Sequence, residues 1–450
     1  MRPVPFSDRS KHGIRSALYA LTALMATGCG SSPISTTNGF DPYLADGVFG
    51  AFEAQTQHCK RDDGSLWGET LCGPMLVADP ATRRVWANRN APHLQPVEGE
   101  NLWTGSLPAG VPIANSLVRY SDFDWVMVML PLPRDSQDLG YLVIHESWHR
   151  IQEKIGLPSA PYAADHLEDE RARYLMRLEF RALAEALVAV GICRTTAVRD
   201  ALGFRSARLG IYPGARQQER VLDRNEGLAS YTGVKLGVAD PHEFARQRLI
   251  DFDSHNSLTR AYAYASGPAY GLLLDDFRPD WRPALGDAAP ADLLASVVAP
   301  RHQADLEDAS DRYRGQDVRA EESARRQARE AETNRLLAAY AENDRIELPL
   351  RQMQFEFDPN LVTTLGAAGT HYGKLIVRDH WGEIRADQGA MINAAFTRLT
   401  VLAPNQHESS GPGWTLTLRE GFRIVDGPVD GLKVVQESPQ ETVPETVLDR

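Results

Sequence analysis

The hydrophobic period of the chain changes near residue 133 and again near residue 346, and these two changes bound the fold. From about 47 to 132 the apolar residues come in short runs broken by turn residues. Pro74–Ala78 and Val85–Ala87 flank Asp79-Pro80, and Trp125–Leu130 is an unbroken apolar run closed by Pro131. Runs of this length between turn signals read as buried strands. Beyond them the apolar residues recur every three or four positions, the spacing of one helix face. Asp135 can cap a first helix running to about Ile155, with Gly156 and Pro158 as stop signals. Further helices are expected over about 169–190, 216–236 and 258–276, the last interrupted at Gly267-Pro268. Alternation returns in Lys374–Arg378, Arg398–Leu402 and Trp414–Leu418. The order β, then α, then β predicts an α+β chain.

Length divides this pattern into domains. With 450 residues the chain exceeds one ordinary domain. Residues 47–300 carry the strands and helices of a main domain. Residues 301–345 are charged and alanine-rich and read as an exposed helical connector. A small all-β accessory domain is expected over 346–435, followed by a disordered tail, 436–450, of Glu, Pro and Thr. Hydrophobic residues are 43% of the chain, enough for a core and too many for wholesale disorder. The net charge of −12 argues against a nucleic-acid partner, which requires a basic face.

The N-terminus indicates a compartment. Arg2, Arg9, Lys11 and Arg15 precede a short apolar stretch, Ala17–Thr27, that ends in Ala26-Thr27-Gly28-Cys29. A basic start, a short apolar segment and small residues mark a secretory signal. A cysteine directly after the small residues resembles the lipobox of bacterial lipoproteins. The resemblance implies a signal peptide over 1–28, a lipid on Cys29, a tether over 29–46 and a lipid-anchored place in the bacterial cell envelope. Membrane contact would then run through the anchor. An exported chain can form disulfides. Cys59 and Cys72 flank a polar loop and are expected to pair, leaving Cys193 over, buried and inert.

The chemistry lies in the first helix, at His145-Glu146-Ser147-Trp148-His149. Residues four apart share a helix face, so both imidazoles can reach one Zn²⁺. Glu146 can then take a proton from water held at the metal. A hydrolytic zinc site needs a third protein ligand and an open position. The best candidate is Glu226 in Asn225-Glu226-Gly227-Leu228-Ala229-Ser230-Tyr231, where Gly227 and Ala229 would let that helix approach the first. Glu179 is a competitor. It lies on the apolar stripe Leu175, Leu178, Ala182, Ala186, where it could orient a ligating histidine, replace Glu226 or pair with an arginine. His166 reads as a capping or surface residue.

His-Glu-x-x-His followed by Asn-Glu-Gly-Leu-Ala-Ser-Tyr resembles the gluzincin zinc metallopeptidases, in particular their aminopeptidase-type branch. The resemblance implies a zincin-like catalytic domain, one Zn²⁺ per chain held by His145, His149 and Glu226, and a peptide or protein substrate. It also implies that Tyr264, in Tyr264-Ala265-Ser266-Gly267, stabilises the oxyanion. An edge strand before the active-site helix pairs with substrate in such enzymes, a role that would fall to Trp125–Leu130. Two departures stand out. The 76 residues between His149 and Glu226 exceed the family's usual gap and read as an inserted helical pair. No Gly-x-Met-Glu-Asn segment is present, so aminopeptidase specificity does not carry over. The alternative expectation is a non-catalytic envelope lipoprotein with a structural or degenerate zinc site, acting as a binding module. No Gly-x-Ser-x-Gly elbow or Gly-x-Gly-x-x-Gly loop offers a rival chemistry.

Overall fold

The structure, a computed structural model, describes residues 42–436 apart from 161–163, 343, 359–360, 403–408, 412 and 427–431. The signal segment 1–28, Cys29, the tether as far as residue 41 and the tail from 437 lie outside the described residues. The chain is mixed α+β, with a β part near its start, a helical middle and a β region at its end. The described residues divide into two compact units, one ending at Arg329 and one beginning at Glu330.

The first unit opens with a helix, α1 (Pro42–Asp62), where a tether and then strands were expected. The buried residues Val48, Ala51, Phe52, Gln55, Cys59 and Asp62 recur every three or four positions. Two polar members, Gln55 and Asp62, hide the stripe from a reading by hydrophobicity alone. Six strands follow: β1 (Met75–Ala78), β2 (Arg84–Ala87), β3 (Gln95–Pro96), β4 (Trp103–Ser106), β5 (Ser116–Tyr120) and β6 (Phe123–Met129). Their order in the sheet is β3-β4-β2-β1-β6-β5, antiparallel except for the β1–β6 pair. The run Trp125–Leu130 is therefore not an edge strand. It forms most of β6, paired on both sides, and Trp125–Val128 are fully buried. The exposed edge beside it belongs to β5.

β6 leads directly into α2 (Ser136–Gln152), capped as expected by the Asp135 carboxylate, which accepts from the backbone N–H groups of Gln137 and Asp138. Val143 of α2 joins Val48 and Phe52 of α1 against Val77, Val126 and Val128 of the sheet. Ile144, Trp148 and Ile151, on its other side, enter the core of the helical layer. A helix covered on both sides needs apolar residues nearly all round, which is why its polar residues draw notice.

The helical layer comprises α3 (Glu170–Val188), α4 (Gly191–Ile211), α5 (Ala215–Leu222), a π-helical turn (Asp223–Gly227), α6 (Leu228–Gly237), α7 (Pro241–Asp253), α8 (Tyr262–Phe277), α9 (Pro290–Val297), α10 (Leu306–Arg312) and α11 (Gly315–Glu342). The pair α3–α4 fills the long gap between His149 and Glu226. Helix α8 runs through Gly267-Pro268 without the expected interruption. Pro268 has no N–H for the carbonyl of Tyr264, and that carbonyl accepts from Arg248 Nε at 3.4 Å. The stretch expected as an exposed connector is partly docked. Val318 and Glu322 of α11 are buried, and Glu322 accepts from Arg173 and Arg177 of α3 at 2.8 and 3.0 Å.

In the second unit the strands between Arg345 and Gln436 form a seven-stranded and a five-stranded sheet. Leu375, Val377 and Asp379 alternate with less buried neighbours, as the period of two requires. Ile346, Leu348, Val377, Trp381, Ile384, Leu399, Val401 and Leu416 form the core.

Cys59 and Cys72 are disulfide-bonded, with their Cα atoms 5.2 Å apart. Arg150 of α2 donates to the carbonyls of Thr70 and Cys72, both at 2.6 Å, fixing the end of the same loop. Within the loop Trp67 donates to Thr232 and meets Trp148, Tyr231 and Trp281 edge-on. Cys193, expected to be buried, is exposed in the first turn of α4, because the α3–α4 turn points away from the core. A crosslink closing a loop of this size contributes about 3 kcal/mol through the unfolded state. Changing Cys59 and Cys72 together to Ala should lower unfolding stability by about that amount, and a reductant should do the same to the unchanged protein. Denaturant titration with and without reductant checks both.

Candidate metal centre

Three helices bring the sequence-predicted residues together. Helix α2 carries His145 and His149 one turn apart. Helix α6 lies directly on α2, because Gly233 and Gly237 face it without side chains. A Cβ on Gly237 would stand 2.6 Å from the carbonyl carbon of Gly140, and one on Gly233 would stand 2.7 Å from the Tyr141 carbonyl oxygen and 3.3 Å from the Cβ of His145. Gly227, expected to face α2, faces α8, where a Cβ on Gly267 would collide with its backbone. Glu226 enters from the π-turn between α5 and α6. This wider turn, a feature frequent at functional sites, leaves Asn225 and Glu226 both buried.

The three donor atoms converge. His145 Nε2 lies 3.3 Å from Glu226 Oε2, His149 Nε2 lies 3.7 Å from the same oxygen, and the two Nε2 atoms are 3.4 Å apart. Ligands about 2.0–2.1 Å from a tetrahedral ion stand about 3.3–3.4 Å from one another. The residues present therefore fit a metal ion. Among the described residues these three form the group of potential ligands that closes to this degree. Tyr264 stacks on the His145 ring, with centroids 5.5 Å apart and planes 15° from parallel. Behind His145, Nδ1 lies 3.2 Å from Ser230 Oγ, which in turn meets Tyr141 Oη at 3.1 Å. A donor role for Nδ1 toward Ser230 leaves Nε2 with its lone pair facing Glu226.

The electrostatics are those of groups buried together. Burial works against a charged His149, but the hydrogen bond to Glu226 and the charges of Glu146 and Glu226 outweigh it and push the ring up to about 9. Burial likewise opposes ionisation of Glu226, yet the two histidines hold its carboxyl far below the usual range. For Glu146 burial wins over the pull of His145 and His149, and its carboxyl is raised. A raised carboxyl beside a cationic centre is suited to carrying a proton.

Glu179 is not beside the histidines. It is fully buried between Arg208, whose Nη1 is 2.6 Å from Oε2, and Tyr270, which donates to Oε1 at 2.7 Å. His166 is also no surface cap: its Nε2 meets Glu219 Oε1 at 2.8 Å. Glu219 pairs with Arg208 and Arg205, and Arg205 donates to Asp223, the first residue of the π-turn, at 2.6 Å. Tyr262 donates to the same carboxylate at 2.9 Å. The pair α3–α4 thus holds the turn that carries Glu226. Arg205 and Arg208 escape a sequence reading because Arg is common along α4. Their one signal is the spacing that sets them beside buried Leu202 and Phe204. Gln152 is also overlooked, although it lies three residues past His149 and shares its face.

A metal ion bound by His149 would have to displace the ring's proton. That ring's value of about 9 lies above its ordinary 6.5. The His149–Glu226 pair therefore stabilises the metal-free protein fully below pH 6.5, and this contribution is lost as pH rises through about 9. Metal affinity has the opposite slope and should rise roughly tenfold per pH unit up to that value. Chelator competition at several pH values checks the second dependence, and melting of the metal-free protein between pH 6 and about 10 checks the first.

The chain matches no protein-family model, no curated protein and no solved structure.

Proposed function

We propose that the chain is a zinc-dependent peptidase of gluzincin type. The observation that carries this reading is the convergence of His145, His149 and Glu226 on one point, with Glu146 on the same buried turn of α2. Zinc bound there would polarise a carbonyl and acidify water. Two imidazoles and one carboxylate are the donor set of hydrolytic zinc sites, whereas structural sites close with four protein ligands. Glu146 accepts the proton of the attacking water and returns it to the departing amine, a role its raised carboxyl suits. Tyr264, stacked on His145, donates to the oxyanion as the tetrahedral centre forms. The exposed edge of β5 is the strand available to an extended substrate. A zincin-like arrangement for the first unit belongs to the same proposal.

The place of action we propose is the bacterial cell envelope, with a lipid on Cys29. The basic and apolar N-terminal segment supports export, and the Cys59–Cys72 disulfide fits an oxidising compartment. Among the described residues no helix is long and apolar enough to cross a membrane.

The test is elemental analysis joined to hydrolysis of a peptide library. The wild-type protein should hold one zinc per chain and cleave. His149→Ala and Glu226→Ala should lose the metal. Glu146→Gln should keep it and lose activity by about 10²–10⁴-fold. Tyr264→Phe should lower kcat by about 10²–10³-fold with KM little changed. A Glu146→Gln variant that hydrolyses at the wild-type rate would sink the mechanism, and a metal-loaded wild type without activity on any peptide would favour the binding-module alternative.

A further inference from the structure

We propose that Gln152 is a positioning residue of the metal centre, the middle member of a directional amide relay that fixes which nitrogen of His149 and which oxygen of Glu226 face the metal position. The proposal rests on the metal reading above. Hydrogen-bond polarity can be followed from the carboxylate. An ionised Glu226 only accepts, so Asn225 turns its Nδ2 toward Oε1, at 2.9 Å. The Oδ1 of Asn225 then accepts from Gln152 Nε2 at 2.8 Å. That leaves Gln152 Oε1 facing His149 Nδ1 at 2.9 Å. A carbonyl oxygen only accepts, so Nδ1 carries the proton and the lone pair of the neutral ring is on Nε2. This is the nitrogen that faces Glu226 Oε2.

Each amide is oriented by a partner on both sides. Flipping either one would set donor against donor or acceptor against acceptor. Gln152 and Asn225 are 3% and 6% exposed, so water cannot readily replace a lost partner. The relay also crosses elements. Gln152 is the last residue of α2 and Asn225 belongs to the π-turn. It therefore ties the second histidine and the third ligand into one unit, independently of any ion between them. Loss of such an outer partner weakens metal binding by about 10–100-fold.

The test uses the full-length protein with Gln152→Leu and Gln152→Glu. Affinity for Zn²⁺ and Co²⁺ is read by chelator competition, and ligand geometry from the visible absorption of the Co²⁺ form. The tautomer of His149 is read by ¹⁵N NMR of the metal-free protein at alkaline pH, where the ring is neutral. Gln152→Leu should bind both metals about 10–100-fold more weakly, alter the Co²⁺ spectrum and move the ring away from the Nδ1–H form. Gln152→Glu keeps an acceptor opposite Nδ1 but cannot donate to Asn225 when ionised. It should keep the tautomer and still weaken the metal, and it supplies the comparison should the Leu variant not fold. Unchanged affinity, spectrum and tautomer in the folded variants would overturn the relay. If the wild type binds neither metal, the metal reading fails by itself. The tautomer alone then decides: a shift in Gln152→Leu supports the relay and an unshifted ring rejects it.

Discussion

Helix α6 lies against helix α2 with no side chain between them at Gly140 and Gly237, and α8 meets the π-turn in the same way at Gly267 and Gly227. Everything else at the centre follows from these backbone contacts. Helices separated by ordinary side chains stand about 8–10 Å apart. Here Glu226, on the π-turn that leads into α6, comes within 3.3 Å of His145. The glycines contribute little to the core themselves. They set a distance, and that distance decides whether three donors form a cluster or three unrelated polar residues.

The second constraint is charge. Glu179, Glu219 and Asp223 are buried with Arg205 and Arg208 beneath the π-turn. Burying so many charges is costly, and removing one partner of such a network typically costs about 3–5 kcal/mol because the other charge remains in a dry environment. The network therefore allows few intermediate positions of the turn. Helices α3 and α4 contribute none of the three converging donors. They are the base on which the turn carrying Glu226 stands. The unusual distance in sequence between His149 and Glu226 thus has a structural reason within this chain.

Much of this was legible in the sequence, for reasons that differ from residue to residue. The β–α–β order follows from hydrophobic period. The cap at Asp135, the strand ending near Leu130 and the shared face of His145 and His149 each follow from local rules, and local rules survive folding. Glu226 was legible because it sits in a neutral stretch with no oppositely charged residue three or four positions away. What failed was long-range. The α1 stripe was hidden by its polar members Gln55 and Asp62; Gln55 has its partner, Ser147, on another helix, and Asp62 accepts from the Leu66 N–H just past the end of α1. Glu179 carried the mark of a buried carboxylate, for which an arginine partner was more expected than direct ligation, and its partner is Arg208, on the next helix. Gly227 was correctly seen as a point of close approach and assigned to the wrong neighbour. Pro268 read as a break, although its missing hydrogen bond is replaced by Arg248 at the Tyr264 carbonyl.

The order in which the ligands occur along the chain has a consequence for biogenesis. His145 and His149 are synthesised ahead of Glu226, with 76 residues between His149 and Glu226. Two imidazoles on a nascent helix hold a divalent ion far less firmly than a completed three-donor site. On the proposed metal reading, a complete three-donor site cannot exist until synthesis has passed Glu226, at the midpoint of the chain. An ion held by all three donors would then be one met where the two halves of the site come together, not where the first of them is made.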